Sequence, residues 1–227
     1  MKAPLSLPDG RTTLLLIDLQ EEHRKDPRYL VEGYDHVLKN AARLLGAARN
    51  AGMPVLHAAF VRDFAKVPPR PFEPVGQGRA PAFSDPSTDL TAICAEVAPK
   101  DGERVLQKND LSCYCEAAFQ QMLDAVQADW LIVCGVWTEA CVAATVRDAV
   151  ARGVHVLLVK DACGSGTQAM HQTGVLHLAN RLYGGAVAAT DDAILLMQGG
   201  QEEIWQVSGA APLRFRAETI GQVYDAI

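Results

Sequence analysis

The sequence is short of charge of one sign, of aromatics and of long apolar runs, and each shortage excludes something. Its 227 residues carry 21 Lys+Arg against 27 Asp+Glu, a formal net charge of −6. This mild acidity gives no basic stripe for phosphate contacts, so a nucleic-acid partner is not expected. Asp or Lys interrupts the longest apolar stretches before they reach the roughly 18–20 residues of a membrane span, so no membrane partner is expected either. Six cysteines (Cys94, Cys113, Cys115, Cys134, Cys141, Cys163) are too sparse for a disulfide framework. They read as buried thiols, ligands or a nucleophile. The first ten residues lack the apolar core and small-residue cleavage site of a secretory signal, which predicts a cytoplasmic protein. Aromatics are only 6% of the chain, yet hydrophobic residues reach 49%, a globular composition.

What is present is a recurring alternation. Apolar runs of strand length stand at residues 12–17, 54–61, 104–107, 130–134, 154–159 and 186–189. Between them lie helical patterns at 34–51, 115–127, 138–152 and 168–182, with Gly52 and Gly153 as stop signals. Strands alternating with helices predict βαβ units, and near-continuous apolarity predicts strands buried on both faces. The expected fold is a three-layer α/β/α sandwich on a six-stranded, mainly parallel, Rossmann-like sheet. Residues 1–197 read as one domain and 198–227 as an extension docked on it or on a neighbouring subunit. Residues 62–88 are rich in Pro and Gly, without periodicity, and read as a lid or pocket wall. Arg62, Arg70 and Arg79 there are candidate contacts for an anionic group, or solvated charges.

Open parallel sheets bind ligands beyond the carboxyl ends of their strands. Three different reactive groups follow such ends here: Asp18, Lys108 and, in the turn after the fourth strand, Cys141. With Thr138 as helix cap, Cys141 falls in the first turn, where the helix dipole and free N–H groups lower a thiol pKa and can hold an oxyanion. Taken singly, each residue has a plainer reading: Cys141 as packing, Lys108 as a surface charge, Asp18 as a turn residue. Their combination at one sheet edge favours chemistry.

The pieces that carry these residues resemble the isochorismatase-like cysteine hydrolases, the family of nicotinamidases and N-carbamoylsarcosine amidases. They are Leu15-Leu16-Ile17-Asp18-Leu19-Gln20, Gln107-Lys108 with Ser112-Cys113-Tyr114, Val133-Cys134-Gly135-Val136-Trp137-Thr138-Glu139-Ala140-Cys141-Val142, and Val159-Lys160-Asp161-Ala162-Cys163. The resemblance spans residues 12–197. It implies cleavage of a C–N bond in a small amide or carbamoyl compound through a cysteine acyl-enzyme, with Cys141 as nucleophile, Asp18 as proton carrier and Lys108 favouring both anions. It further implies a cis peptide at Val136–Trp137, an oxyanion hole of the Trp137 and Cys141 N–H groups, and a homo-oligomer, dimer or tetramer.

The chain also departs from that family. His23 stands where Phe is common, and residues 61–66 lack the His of a metal-binding Asp-x-His, so no metal and no cofactor are expected. His23, Tyr114, Trp137 and Thr167 are candidate substrate contacts. Cys113-x-Cys115 has no second pair to complete a metal site, 164–167 lacks the Lys of a phosphate loop, and His171 and His177 read as ordinary polar positions. An isochorismate-type vinyl-ether hydrolase and a catalytically silent scaffold remain alternatives. The tail residues Ile204, Trp205, Val207, Leu213, Phe215, Ile220, Val223 and Tyr224 are too apolar to stay in water, and predict docking on their own domain or across a subunit interface.

Overall fold

A computed structural model describes residues 1–209 and 212–227. Ala210 and Ala211 of the expected extension lie outside the described residues. The strands are β1 (Lys2–Leu5), β2 (Thr12–Ile17), β3 (Val55–Phe60), β4 (Arg104–Lys108), β5 (Trp130–Val136), β6 (His155–Gly164), β7 (Ala186–Ala188) and β8 (Glu202–Gln206). The helices are α1 (Glu22–Lys25), α2 (Tyr34–Asn50), α3 (Ala117–Val126), α4 (Ala143–Ala151), α5 (Gln168–Ala179), α6 (Thr190–Met197) and α7 (Ile220–Asp225).

The sheet runs β1-β8-β7-β6-β5-β2-β3-β4. Its parallel part, β2 to β7, is the sheet anticipated from sequence. The count of six is corrected to eight, because β8 pairs antiparallel with β7 and β1 antiparallel with β8. Neither added strand has a continuous apolar run. Glu202-Glu203-Ile204-Trp205-Gln206 mixes charges with its two buried residues, and β1 contains Pro4, which an outer strand tolerates because it needs no donor on its free side.

Side-chain alternation along the central strands divides the core in two. Leu14 and Leu16 of β2 pack with α2 and α6 on one face, together with Ile132, Leu157 and Val159. Leu15 and Ile17 pack on the other with Leu131, Val133, Val156, Leu158 and residues of α4 and α5. Burial of each such side chain contributes about 1.5–3 kcal/mol, so both faces hold the strands in one register. The extension lies on the second face, where Val207, Leu213, Phe215, Ile220, Val223 and Tyr224 pack against that core. Among the described residues no helix is long and apolar enough to cross a membrane.

The register brings the strand ends level. Ile17 pairs with Gly135 on one side and Ala58 on the other, and Phe60 pairs with Lys108. At Gly135 the chain has φ of 130°, and a β-carbon there would lie 2.0 Å from the Ile17 carbonyl oxygen. Glycine is required because two backbones touch. Replacing Gly135 with Ala is expected to destabilise the fold by about 3 kcal/mol or more. Urea unfolding followed by circular dichroism measures this, and an unchanged midpoint would contradict the close approach.

Candidate active site

Each reactive group is set at the sheet edge by local backbone. Asp18 follows β2 directly with φ of 53°, a left-handed conformation that Asp tolerates better than most residues. Its N–H donates to the Ala58 carbonyl at 2.9 Å. Gln20 fixes the next turn: its side-chain N–H₂ donates to the Phe60 and Thr91 carbonyls, and its side-chain oxygen accepts from the Phe60 N–H. Lys108 closes β4 and is fully buried, with Nζ 2.8 Å from Asp18 Oδ2. The ammonium also donates to the Asp110 carbonyl at 3.1 Å and lies 4.4 Å from the centre of the Phe60 ring.

The Asp18–Lys108 contact is an ion pair without the alignment of a hydrogen bond, and neither Asp18 oxygen has a well-directed protein donor. Both oxygens retain acceptor capacity for a proton from elsewhere. Burial is the largest influence and would lower the Lys108 pKa, but Asp18 and, to a smaller extent, Cys141 and Cys113 together outweigh it and hold Lys108 above the usual lysine range. Lys108 is therefore a permanent cation.

Cys141 lies in a single π turn, Thr138–Val142, between β5 and α4. The turn starts one residue earlier than the sequence suggests: Trp137 is the cap, and the Thr138 side chain caps nothing. Its hydroxyl donates instead to the Gly164 carbonyl at 2.9 Å and so must accept from His171 Nδ1, 2.8 Å away. That leaves His171 Nε2 as the acceptor for the Tyr224 hydroxyl at 3.0 Å. His171, an ordinary polar position by sequence, thus ties the turn to α7. The Trp137 carbonyl accepts from Ala140 and Val142 and passes over the Cys141 N–H. The Val136–Trp137 peptide is cis.

The thiol does not have the lowered pKa that a helix start suggests. Burial pushes Cys141 well up, the Asp18 charge adds to this, and Lys108 only partly offsets both. The resting group is a thiol beside a carboxylate.

Asp18 and Cys141 open on a cavity of about 260 Å³. Tyr29, Phe60, Phe83, Leu111, Val136, Trp137 and Ala140 form its mainly apolar wall, with Glu22, His23, Arg28 and Ser84 as the further polar groups. The segment 62–88 is an ordered wall here. Both Glu22 oxygens accept from Ser84, one from its N–H and one from its hydroxyl, each at 2.7 Å. Within the same segment buried Arg62 is paired to Glu73 through two contacts, and Arg70 pairs with Asp110, so both are already engaged by carboxylates.

Of the four expected substrate contacts, His23 and Trp137 line the cavity and two do not. Tyr114 lies against Phe119, ring centres 4.8 Å apart, under the Arg152 guanidinium. Thr167 caps α5, its hydroxyl accepting from the Met170 N–H, and faces a different hollow with His36, Asp161 and His171. Glu22, Tyr29, Phe83 and Ser84 were missed. Glu22 stands only four residues after Asp18, a closeness in sequence that hints at it, whereas Phe83 and Ser84 sit in a segment without pattern. Among the described residues no group of three or more His, Cys, Asp or Glu is arranged to hold a metal.

Known proteins resemble this chain in sequence and in fold. The family described as Isochorismatase domain matches residues 12–192. An uncharacterised isochorismatase family protein, YddQ, of Bacillus subtilis (strain 168) is 29% identical over 156 residues, 69% of this chain and 79% of its own. Maleamate amidohydrolase of Pseudomonas putida is 27% identical over 187 residues, 80% and 84% of the two chains. N-carbamoylsarcosine amidase of an Arthrobacter species is 28% identical over 168 residues, 71% and 61%. A solved structure from Chromobacterium violaceum, described as a hydrolase of the isochorismatase family, superposes with a TM-score of 0.72 at 25% identity, covering 87% of this chain and 99% of that one. A cysteine hydrolase from Pseudomonas syringae pv. phaseolicola superposes with a TM-score of 0.73 at 19% identity, covering 86% and 95%, a likeness of fold.

The thiol's protonation state can be measured. In a Cys115→Ser background, which removes the exposed cysteine, iodoacetamide labelling of Cys141 is expected to accelerate with pH through pH 9 without levelling off. A raised pKa means that thiolate forms only above the ordinary thiol range near about 8.5. Peptide mass mapping follows the site, and a plateau below pH 7 would show a preformed thiolate.

Proposed function

The chain belongs to the isochorismatase family of hydrolases, and from that membership we propose that it cleaves the C–N bond of a small amide or carbamoyl compound through a Cys141 acyl-enzyme. The observation that carries this reading is the buried Asp18–Lys108 ion pair at one cavity with the buried Cys141 thiol, under a largely apolar wall. The names of two relatives, an amidohydrolase and an amidase, support it.

The steps follow from the charges. Cys141 Sγ attacks the carbonyl carbon as its proton passes to an Asp18 oxygen, so the thiolate need never accumulate. The carbonyl oxygen becomes an oxyanion, held by the N–H groups of Trp137 and Cys141. Among the described residues the Trp137 N–H has no partner, and the Trp137 carbonyl accepts from Ala140 and Val142 but not from the Cys141 N–H. As the intermediate collapses, the C–N bond breaks and Asp18 returns its proton to the leaving nitrogen. Water, losing a proton to Asp18, then attacks the thioester and frees the acid and the thiol. Lys108 keeps its proton throughout and offsets the negative charge as it moves between Asp18, sulfur and oxygen.

A vinyl-ether hydrolase would leave the thiol without work, and a silent scaffold would leave the whole triad without work. The proposal has no metal step and includes a cytoplasmic homo-oligomer, dimer or tetramer, whose mass light scattering reports.

The test is ammonia release from a panel of small amides, ureas and carbamoyl amino acids. Cys141→Ala and Asp18→Asn are each expected to lower turnover by at least about a thousandfold, and Cys141→Ala should keep the thermal midpoint of the parent. Turnover is expected to survive exhaustive chelation, checked by metal analysis of the treated protein. Near-parental hydrolysis by Cys141→Ala would rule out the acyl-enzyme, and stoichiometric zinc whose removal stops turnover would rule out the metal-free route.

A further inference from the structure

The cavity holds a polar group that the hydrolytic steps do not use. His23 is 9% exposed and lines the cavity beside Cys141. Its Nδ1 lies 3.2 Å from the indole Nε1 of Trp137 and 3.3 Å from the Tyr29 carbonyl. An indole N–H can only donate, so the nitrogen that receives it carries no proton. The Tyr29 contact is then one acceptor beside another and not a hydrogen bond. The ring proton resides on Nε2, which has no partner among the described residues yet is not sealed from solvent. Burial lowers the His23 pKa below its usual value, so the ring is neutral.

The other charged groups of the wall already face partners, and the Tyr29 hydroxyl is the further neutral donor there. Both Glu22 oxygens are taken by Ser84. Arg28 is bound twice to Asp26, at 3.0 and 2.6 Å. Lys108 is paired with Asp18. The Trp137 ring is itself fixed, since a β-carbon at Gly166 would lie 2.8 Å from it. Gly166 therefore lets the indole sit where it sets the His23 tautomer.

We propose that His23, held as the neutral Nε2–H tautomer by Trp137, is the specificity residue of the pocket and selects an uncharged amide that bears a second, neutral hydrogen-bond acceptor on a flat or apolar body. This rests on the amide-hydrolase reading above. Nε2–H donates to that acceptor, a ketone, ether, ester or amide oxygen, while the scissile carbonyl lies over Cys141. An amide lacking the acceptor leaves a desolvated donor unpaired, and one bearing a carboxylate meets Arg28 with its charge already balanced by Asp26.

Two measurements test it. Long-range ¹⁵N–¹H correlation on the free protein, with His23 assigned by its loss in His23→Phe, is expected to show a protonated Nε2 and an unprotonated Nδ1 near neutral pH. A protonated Nδ1 overturns the proposal whatever the substrate. Kinetics then use matched primary amides with and without a carbonyl or ether oxygen three to five bonds from the scissile carbon, and a third set with a carboxylate there. The native chain is expected to favour the neutral-acceptor member about tenfold in kcat/KM, mostly through KM. His23→Phe should level the pair by slowing the acceptor member, and His23→Gln, which restores an N–H donor, should recover part of the preference. Equal rates on a pair, a preference that survives His23→Phe, or a preference for the carboxylate would overturn the proposal while leaving Cys141 catalysis intact. A native chain that cleaves none of the amides overturns the hydrolase reading, and this proposal with it.

Discussion

The structure around the site depends on one buried ion pair. Asp18 and Lys108 come from strands separated in the sheet by β3, and both are removed from water. Deleting either partner would strand the other charge in a medium that solvates it poorly, at a cost of about 3–5 kcal/mol. The pair therefore constrains the register of β2, β3 and β4 as well as the chemistry. The Phe60 ring, from the strand between them, lies against the ammonium, and Gln20 locks the end of that strand to the turn after Asp18.

Burial and the pair together set the protonation state of the Cys141 thiol. A thiol near a cation alone would ionise readily. Out of water and facing a carboxylate as well, it keeps its proton, and the carboxylate becomes the place for that proton to go. Proton transfer and attack are then one event, and the cavity avoids exposing a standing thiolate to adventitious oxidants.

Much of this was legible in the sequence, for identifiable reasons. Leu14-Leu15-Leu16-Ile17 reads as a strand buried on both faces because it is one, and Asp18 at its end reads as an edge residue for the same reason. Lys108 and Cys141 follow from the same strand-end rule. β1 and β8 were not legible because edge strands need bury little, so charges and Pro4 obscure them. Cys141's electrostatics were misjudged because a helix-start argument counts the dipole and omits a carboxylate from a distant strand. Thr138 reads as a cap from its neighbours alone, but its hydroxyl is claimed by Gly164 and His171, contacts that only the fold creates. Tyr114 lies close in sequence to Lys108, yet its ring packs on the helix side of the sheet, away from the cavity.

The wall segment 62–88 has a different status from the sheet it covers. It carries its own internal fastening, Arg62 to Glu73, and joins the catalytic side mainly through Ser84 on Glu22. Among the described residues, Asp18, Lys108 and Cys141 make no direct hydrogen bond to it, and Arg70 reaches Lys108 only through Asp110. Such a division lets descent with modification act on the two parts at different rates. Exchange of Phe83 or its neighbours would reshape what the cavity accepts without disturbing a buried charge, whereas drift at Asp18, Gly135 or Lys108 would be purged for its effect on folding before any change in catalysis could be selected. New substrates would then be acquired by rewriting the wall, and the sheet edge beneath would change last.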